Sequence, residues 1–270
     1  MNENMLQRLK KHLNQGLELI FATGRSYHMV EEIIAKYDIH CDLILNNGAE
    51  YRDIQKCTTT LIPMEEAAFV KIVNVLNDYG YLLAIHTDCG LYSCHDQEAF
   101  WDYHMKILTR NLPEGQQLPK KTFTTKEKYL KNFHYIRDPK EVYKQGARPL
   151  KIDARHLKMT SIAGIKAQLN IPNLDISSSF EDNMEITSNH SNKGKMLEKV
   201  IALKGYAKDE VAVFGDGEND CPMLAGYKYS FAPQNACQKA KLAANYVLTK
   251  TSEEGAVGEG LEILENAGLI

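Results

Sequence analysis

Val211-Ala-Val-Phe-Gly-Asp-Gly-Glu-Asn-Asp220 decides how this chain is read. The apolar run from Val211 to Phe214 has no alternation, which marks a strand buried on both faces. Gly215 and Gly217 then turn the backbone, and Asp216, Glu218 and Asp220 follow with Asn219 among them. In an open α/β sheet, ligands gather beyond the carboxyl ends of the strands, so these acids are expected to converge where chemistry takes place. Clustered carboxylates repel one another unless a cation or a proton relieves them, and a hard divalent ion such as Mg2+ suits oxygen donors of this kind. The plain alternative is an acidic loop in solvent.

Working outward, the pattern on both sides of this stretch is helix, strand, turn. The spacing of Met5, Leu6, Leu9 and Leu13 predicts an amphipathic helix over 4–15, closed by Gly16. Leu17 to Ala22 reads as a buried strand that stops at Thr23-Gly24-Arg25-Ser26, and a helix is expected from Tyr27 to Tyr37. Leu43-Ile-Leu45 is a further strand, ending in the turn signature Asn46-Asn47-Gly48-Ala49. After a helix from Lys193 and the Val211 strand come a helical turn at 221–225, a strand at 229–231, a helix over 234–243, a strand at 246–248 and a closing helix over 255–265. This order predicts a doubly wound, Rossmann-like α/β core built on a parallel sheet, from residues 1–60 and 187–270. Between them, residues 61–186 change character and predict an inserted α+β domain. Its expected elements are a helix over 65–79, strands at 81–87, 90–93 and 150–154, a helix over 159–169 and a hairpin of 176–180 with 183–187. The stretch 95–147 is aromatic, basic and broken by prolines, and yields no clear element.

Composition excludes several classes. With 32 basic and 35 acidic residues the net charge is −3, which gives no electrostatic case for nucleic acid or an anionic membrane. The lysines at 120, 121, 126, 128 and 131 are read as a solvated face. Six cysteines without C-x-x-C or zinc spacing fit a reduced, cytoplasmic setting, where they act as small apolar side chains. No run of about 18 apolar residues is present, so no spanning helix is expected.

Three separated segments fall at the ends of core elements. Thr23-Gly24 could hold a phosphate through a hydroxyl and the N–H groups of a helix start, Lys193 opens a helix and could neutralise phosphate charge, and Asp216 with Asp220 could hold a metal. Together they supply what phosphoryl transfer needs, because its charge rests on three equatorial oxygens. Singly, each is more often a turn, a surface lysine or a solvated acid. At this point the sequence resembles the haloacid-dehalogenase-like phosphatases, in the Cof-type sugar-phosphatase branch with a large α/β cap. Phe21-Ala-Thr-Gly-Arg25, Asn47-Gly-Ala49, Asn192-Lys-Gly194, Gly215-Asp-Gly-Glu-Asn-Asp220 and Gly255-Ala-Val257 carry the likeness. The resemblance implies that Thr23 binds the transferring phosphoryl group and Lys193 stabilises it. Asp216 would coordinate Mg2+, Asn219 and Asp220 would support the metal shell and Lys193, and Gly24, Arg25 and Asn47 would lie with the substrate. It further implies a small phosphorylated metabolite as partner, with the 61–186 cap closing over the site and selecting the substrate.

The family's nucleophile and its acid/base partner belong to an Asp-x-Asp-Gly-Thr motif on a first, central strand, and residues 1–270 contain no such motif. Asp53, Asp153 and Asp175 stand in other contexts. The first central strand is therefore expected to be missing between the strands of Thr23 and Asp216. Three alternatives follow: an upstream segment restores the motif, the flanking strands pair directly in a non-catalytic phospholigand binder, or a partner fills the gap. A dinucleotide-binding reading of Gly215-x-Gly217 fails, because Asp220 replaces the third glycine and Asp216 and Glu218 repel pyrophosphate.

Overall fold

The computed structural model describes residues 3–110, 112, 125–158, 169, 171–177 and 183–270. Two compact units emerge: Met1–Thr60 with Ser191–Ile270, and Leu61–His190. The chain returns to the first unit at Ser191 rather than at 187, because the last strand of the second unit continues to Ser188.

The first unit opens with α1 (Glu3–Asn14), β1 (Ile20–Ala22), α2 (Tyr27–Tyr37) and β2 (Asp42–Leu45). β1 and β2 are parallel, with Phe21 opposite Leu43. A 3-10 turn at Asn46–Gly48 leads into β3 (Glu50–Asp53), antiparallel to β2, and β4 (Thr58–Leu61) completes a sheet of order β1-β2-β3-β4. The β3–β4 pair was not legible in the sequence because its residues are polar. Glu50 and Asp53 are nonetheless buried, Glu50 accepting from Asn46 Nδ2 at 2.9 Å and from Arg52 Nε at 2.6 Å.

In the second unit, α3 (Glu66–Asp78), β5 (Leu82–Thr87), β6 (Leu91–Ser93), α4 (Gln97–Thr109), α5 (Lys126–Tyr129), β7 (Phe133–Tyr135), α6 (Lys140–Lys144), β8 (Pro149–Arg155), β9 (Leu174–Ser177) and β10 (Asn183–Ser188) form one layered body. Its sheet has the order β7-β6-β5-β8-β10-β9. One face packs Leu83, Ile85, Ile152, Ala154, Met184 and Ile186 against Phe69, Ile72 and Leu76 of α3. The well-formed α4 lies inside the stretch that gave no element by sequence. Asp96 caps it by accepting from Ala99 N at 2.9 Å, and Phe100, His104 and Ile107 form its buried stripe at helical spacing. The expected helix over 159–169 falls almost wholly outside the described residues, as do residues 178–180 of the expected hairpin and the lysines at 120 and 121.

Back in the first unit come α7 (Lys193–Lys204), β11 (Ala212–Phe214), α8 (Cys221–Gly226), β12 (Tyr229–Ala232), α9 (Gln238–Ala243), β13 (Tyr246–Val247) and α10 (Ala256–Asn266). β11, β12 and β13 are parallel and bring Phe214, Phe231 and Tyr246 into a cross-strand stack with ring centroids 4.8 and 5.0 Å apart. The core is therefore two sheets rather than one continuous sheet. Among the described residues β1 pairs with β2 and β11 with β12, and the two flanking strands do not pair with each other. These strands are not fully enclosed: Phe21 is 38% exposed and Ile20, Ala22, Ala212 and Phe214 are half-buried, while Val213 is buried. No helix among the described residues is long and apolar enough to cross a membrane.

Candidate active site

The site is built from three turns, each with a local reason for its shape. β1 runs on to Thr23, whose N–H donates to Ile44 O at 2.8 Å, and Asn47 N then donates to Thr23 O at 3.2 Å. The half-buried Thr23 hydroxyl accepts from Arg25 N at 3.2 Å, so its own proton can still point to an acceptor. The opposing turn carries positive φ at Asn46 (51°), Asn47 (56°) and Gly48 (91°), a run that asparagine tolerates and glycine makes easy. Gly48 has a second reason to be glycine: a Cβ there would lie 2.3 Å from Asn192 O. The turn is thereby laid against the start of α7.

That helix begins in a way the sequence encodes. The Asn192 side chain accepts from Lys195 N at 2.8 Å, and Gly205, in the left-handed region, closes the other end. Lys193, on the first turn, is 5% exposed. A buried ammonium needs a counter-charge, and Asp220 Oδ1 supplies it at 2.7 Å.

Asp220 also shapes the acidic turn. Its Oδ2 accepts from Asp216 N at 2.9 Å and Gly217 N at 3.0 Å. Gly215 allows this fold-back, because a Cβ there would meet Asp220 Cβ at 2.5 Å. Asn219 Nδ2 donates to Asn47 Oδ1 at 3.0 Å and joins this turn to the Thr23 turn. Cys237 N holds Asp216 O at 2.9 Å from the side of α9. Burial first, then the adjacent Asp220 charge, push the Asp216 carboxyl above the usual carboxylate range, with Lys193 opposing.

Thr23, Asn47, Asn219, Asp220 and Lys193 are thus linked contact by contact: Thr23 to Asn47, Asn47 to Asn219 in the acidic turn, and that turn to Lys193 through Asp220. Arg25 is exposed at the rim of the Thr23 turn, beside the half-buried Gly24. Asp220, grouped by sequence with the metal ligands, commits one oxygen to Lys193 and the other to backbone N–H groups. It holds the lysine, while Asp216 is the acid whose raised range a cation would relieve. Among the described residues no three His, Cys, Asp or Glu side chains converge as a metal cage. A single carboxylate completed by neutral oxygens, water and phosphate suits Mg2+, which keeps much of its hydration, better than a metal needing an all-protein cage.

In the second unit, several aromatic and histidine side chains are packed on one another. Tyr92 stacks on His134 at 4.5 Å, and Trp101 sits in a cluster with Phe100, His104 and Tyr129. Reading by residue type missed a polar stripe on the other face of its sheet. Register places His86, Lys151 and Thr187 in one row, Asp153 and Glu185 in the next, and Arg155 and Asn183 in a third. Strict alternation along β8 and β10 was the available signal.

Known proteins resemble this chain along most of its length. The phosphatase YwpJ of Bacillus subtilis (strain 168) is 24% identical over 258 residues, which cover 94% of this chain and 89% of that protein. A solved haloacid dehalogenase-like hydrolase from B. subtilis superposes with a TM-score of 0.77 at 21% identity, covering 96% of this chain and 91% of that one. The solved subclass IIB sugar phosphatase BT4131 superposes with a TM-score of 0.74 at 17% identity, covering 100% and 93%. The family model for haloacid dehalogenase-like hydrolases matches residues 1–261, and the chain belongs to that family.

Proposed function

We propose that this chain carries the phosphate- and metal-binding site of a Mg2+-dependent phosphatase for small phosphate monoesters, sugar phosphates among them. The observation that carries the reading is the buried Lys193–Asp220 pair, whose carboxylate also caps the turn bearing Asp216. Lys193 is held in place, charged, to offset the oxygens of a phosphoryl group, and Thr23 donates its hydroxyl proton to one of them. Asp216, with Asn219 beside it, would hold the ion. Bound Mg2+ supplies Lewis-acid charge neutralisation at the phosphate. The 61–190 unit takes the role of the family's cap in this reading. Six cysteines, none in a disulfide, support a reducing, cytoplasmic setting.

Turnover in this reading passes through an aspartyl-phosphate formed on an Asp-x-Asp-Gly-Thr strand. Residues 1–270 by themselves are expected to bind phosphate without hydrolysing it. The open edges of β1 and β11, one on each sheet, support the strand's insertion between them. The test is a version extended upstream by that strand, assayed on a panel of sugar phosphates and a chromogenic monoester with and without Mg2+. Absence of Mg2+-dependent turnover in a folded, extended protein would rule the enzyme reading out. The second reading, a non-catalytic phospholigand binder, rests on Thr23 and the Lys193–Asp220 pair being in place in residues 1–270, which hold no Asp-x-Asp-Gly-Thr motif; it does not need the direct pairing of β1 with β11 expected from the sequence, which the fold lacks among the described residues. Calorimetry of residues 1–270 with sugar phosphates decides it, and a folded sample that binds none eliminates it.

A further inference from the structure

The turn beside Thr23 is strained, and one buried charge pair supports it. Asn46 and Asn47 are consecutive residues with positive φ, 51° and 56°, a backbone region that L side chains enter at a cost. Asn46 is fully buried. Its N–H donates to Arg25 O at 3.0 Å, and its own carbonyl accepts from Ala49 N at 3.2 Å. Its side-chain Nδ2 donates to Glu50 Oε2 at 2.9 Å, whereas Oδ1 meets no donor among the described residues. A carboxylate only accepts, so Glu50 fixes which end of the amide faces it. Glu50 is itself 2% exposed and is offset by Arg52, whose Nε lies 2.6 Å from Oε1. The Arg52 guanidinium rests on the ring of Tyr27 at 3.7 Å, and Tyr27 is the first residue of α2, next to the Thr23–Ser26 turn. One oxygen of Glu50 thus serves the Asn46–Gly48 turn, and the other reaches the Thr23 turn through Arg52 and Tyr27.

We infer that Glu50 is a positioning residue for the phosphate site: paired with Arg52, its carboxylate holds Asn46 left-handed and so sets Asn47 and Gly48 in place. What depends on that placement is specific. Asn47 N donates to Thr23 O at 3.2 Å, Asn47 Oδ1 accepts from Asn219 Nδ2 at 3.0 Å, and Gly48 lies against Asn192 at the start of the Lys193 helix. A rotation of Asn46 toward the right-handed region would swing both following residues out of these contacts, because each backbone dihedral carries the rest of the turn with it. Glu50 reaches the site through Asn46. Its effect on ligand binding rests on the phosphate-site reading, whereas its hold on the turn does not.

The experiment measures amide hydrogen exchange by NMR, residue by residue, in the native chain and in Glu50→Gln, a variant of the same size that is expected to fold. One glutamine oxygen cannot serve both Asn46 and Arg52. Exchange at Asn46, Asn47 and Ala49 is expected to quicken about tenfold or more, while the backbone-bonded amides of Gln234 and Leu248, beside β12 and β13, stay within about twofold of native. Equal acceleration at all these amides, or none at the turn, overturns the positioning role. In an Asn46→Gly background, where glycine takes positive φ without support, Glu50→Gln is expected to alter exchange at Asn47 and Ala49 by less than about twofold. A full acceleration there overturns action through Asn46. Calorimetry with inorganic phosphate and MgCl2 reads the consequence, with binding about tenfold weaker in Glu50→Gln. Native-strength binding by a loosened turn overturns the link to the site. A native chain that binds no phosphate removes the phosphate reading, and the exchange result still decides the hold of Glu50 on the turn.

Discussion

Lys193 Nζ lies 2.7 Å from Asp220 Oδ1, and each side chain is more than nine-tenths buried. The carboxylate is bound three ways, to the ammonium and to two backbone N–H groups, so its removal is felt in both the helix and the turn. Asp220→Ala is expected to cost about 3–5 kcal/mol in urea unfolding, the range for leaving a buried charge unpaired. Lys193→Met is expected to cost less, because the carboxylate keeps its backbone donors. A loss under about 1 kcal/mol for Asp220→Ala would show that the pair does not organise the site.

The Asn219–Asn47 hydrogen bond of 3.0 Å joins turns that belong to different sheets. Either alanine variant is expected to lose about 1 kcal/mol of stability. Calorimetry with MgCl2 and inorganic phosphate should show about tenfold weaker binding. A double-mutant cycle with no coupling energy would place the two residues in independent roles.

Gly48 and Gly205 both have positive φ, 91° and 79°, but differ in surroundings. An added Cβ at Gly205 meets nothing within 4 Å, while at Gly48 it collides with Asn192 O. Gly205→Ala should therefore cost about 1–2 kcal/mol, from the left-handed backbone alone. Gly48→Ala should cost clearly more and should also disturb phosphate binding. Equal melting-temperature shifts for the two variants would contradict the close packing of the turn on α7.

His104 is 8% exposed, and burial depresses it to about 4 from an ordinary 6.5. In this interval the unfolded chain binds a proton that the folded chain refuses. Stability from this group is therefore complete above pH 6.5 and is lost as pH falls towards 4, by about 3 kcal/mol. Denaturation midpoints measured between pH 4 and 7 should show that slope in the native protein and a flatter one in His104→Asn. An unchanged slope would assign the acid sensitivity to other groups.

On the polar stripe of the second unit, Lys151 Nζ and Glu185 Oε1 stand 3.6 Å apart, both buried. Glu185→Leu alone leaves a buried ammonium without its carboxylate and is expected to cost about 3–5 kcal/mol in urea unfolding, while the Lys151→Met/Glu185→Leu variant should recover most of that loss. Equal losses for the single and double variants would show that the two charges do not depend on each other.

Much of this was legible before any coordinates. The strand of Val213, the helix from Lys193 and the closing helix follow from the order and spacing of apolar residues, and the structure adds that Asn192 and Gly205 cap the Lys193 helix. Elements whose polar or aromatic residues are buried for tertiary reasons were hidden. β3 carries Glu50 and Asp53, which read as loop until their partners are known. α4 carries Phe100, Trp101 and Tyr103, whose β preference masks a helical stripe.

The chain's own order of residues settled the family and nominated Thr23, Lys193, Asp216 and Asp220, because local turns and caps need only near neighbours. The three-dimensional fold alone decided which oxygen of Asp220 meets Lys193, that Asn47 clasps Asn219, and that β1 and β11 end as separate edges. Those outcomes depend on contacts between different elements, 27 residues apart for Lys193 and Asp220 and 172 for Asn47 and Asn219. Periodicity carries no information about such distant pairings, which are selected by packing and by the cost of leaving buried polar groups unpaired.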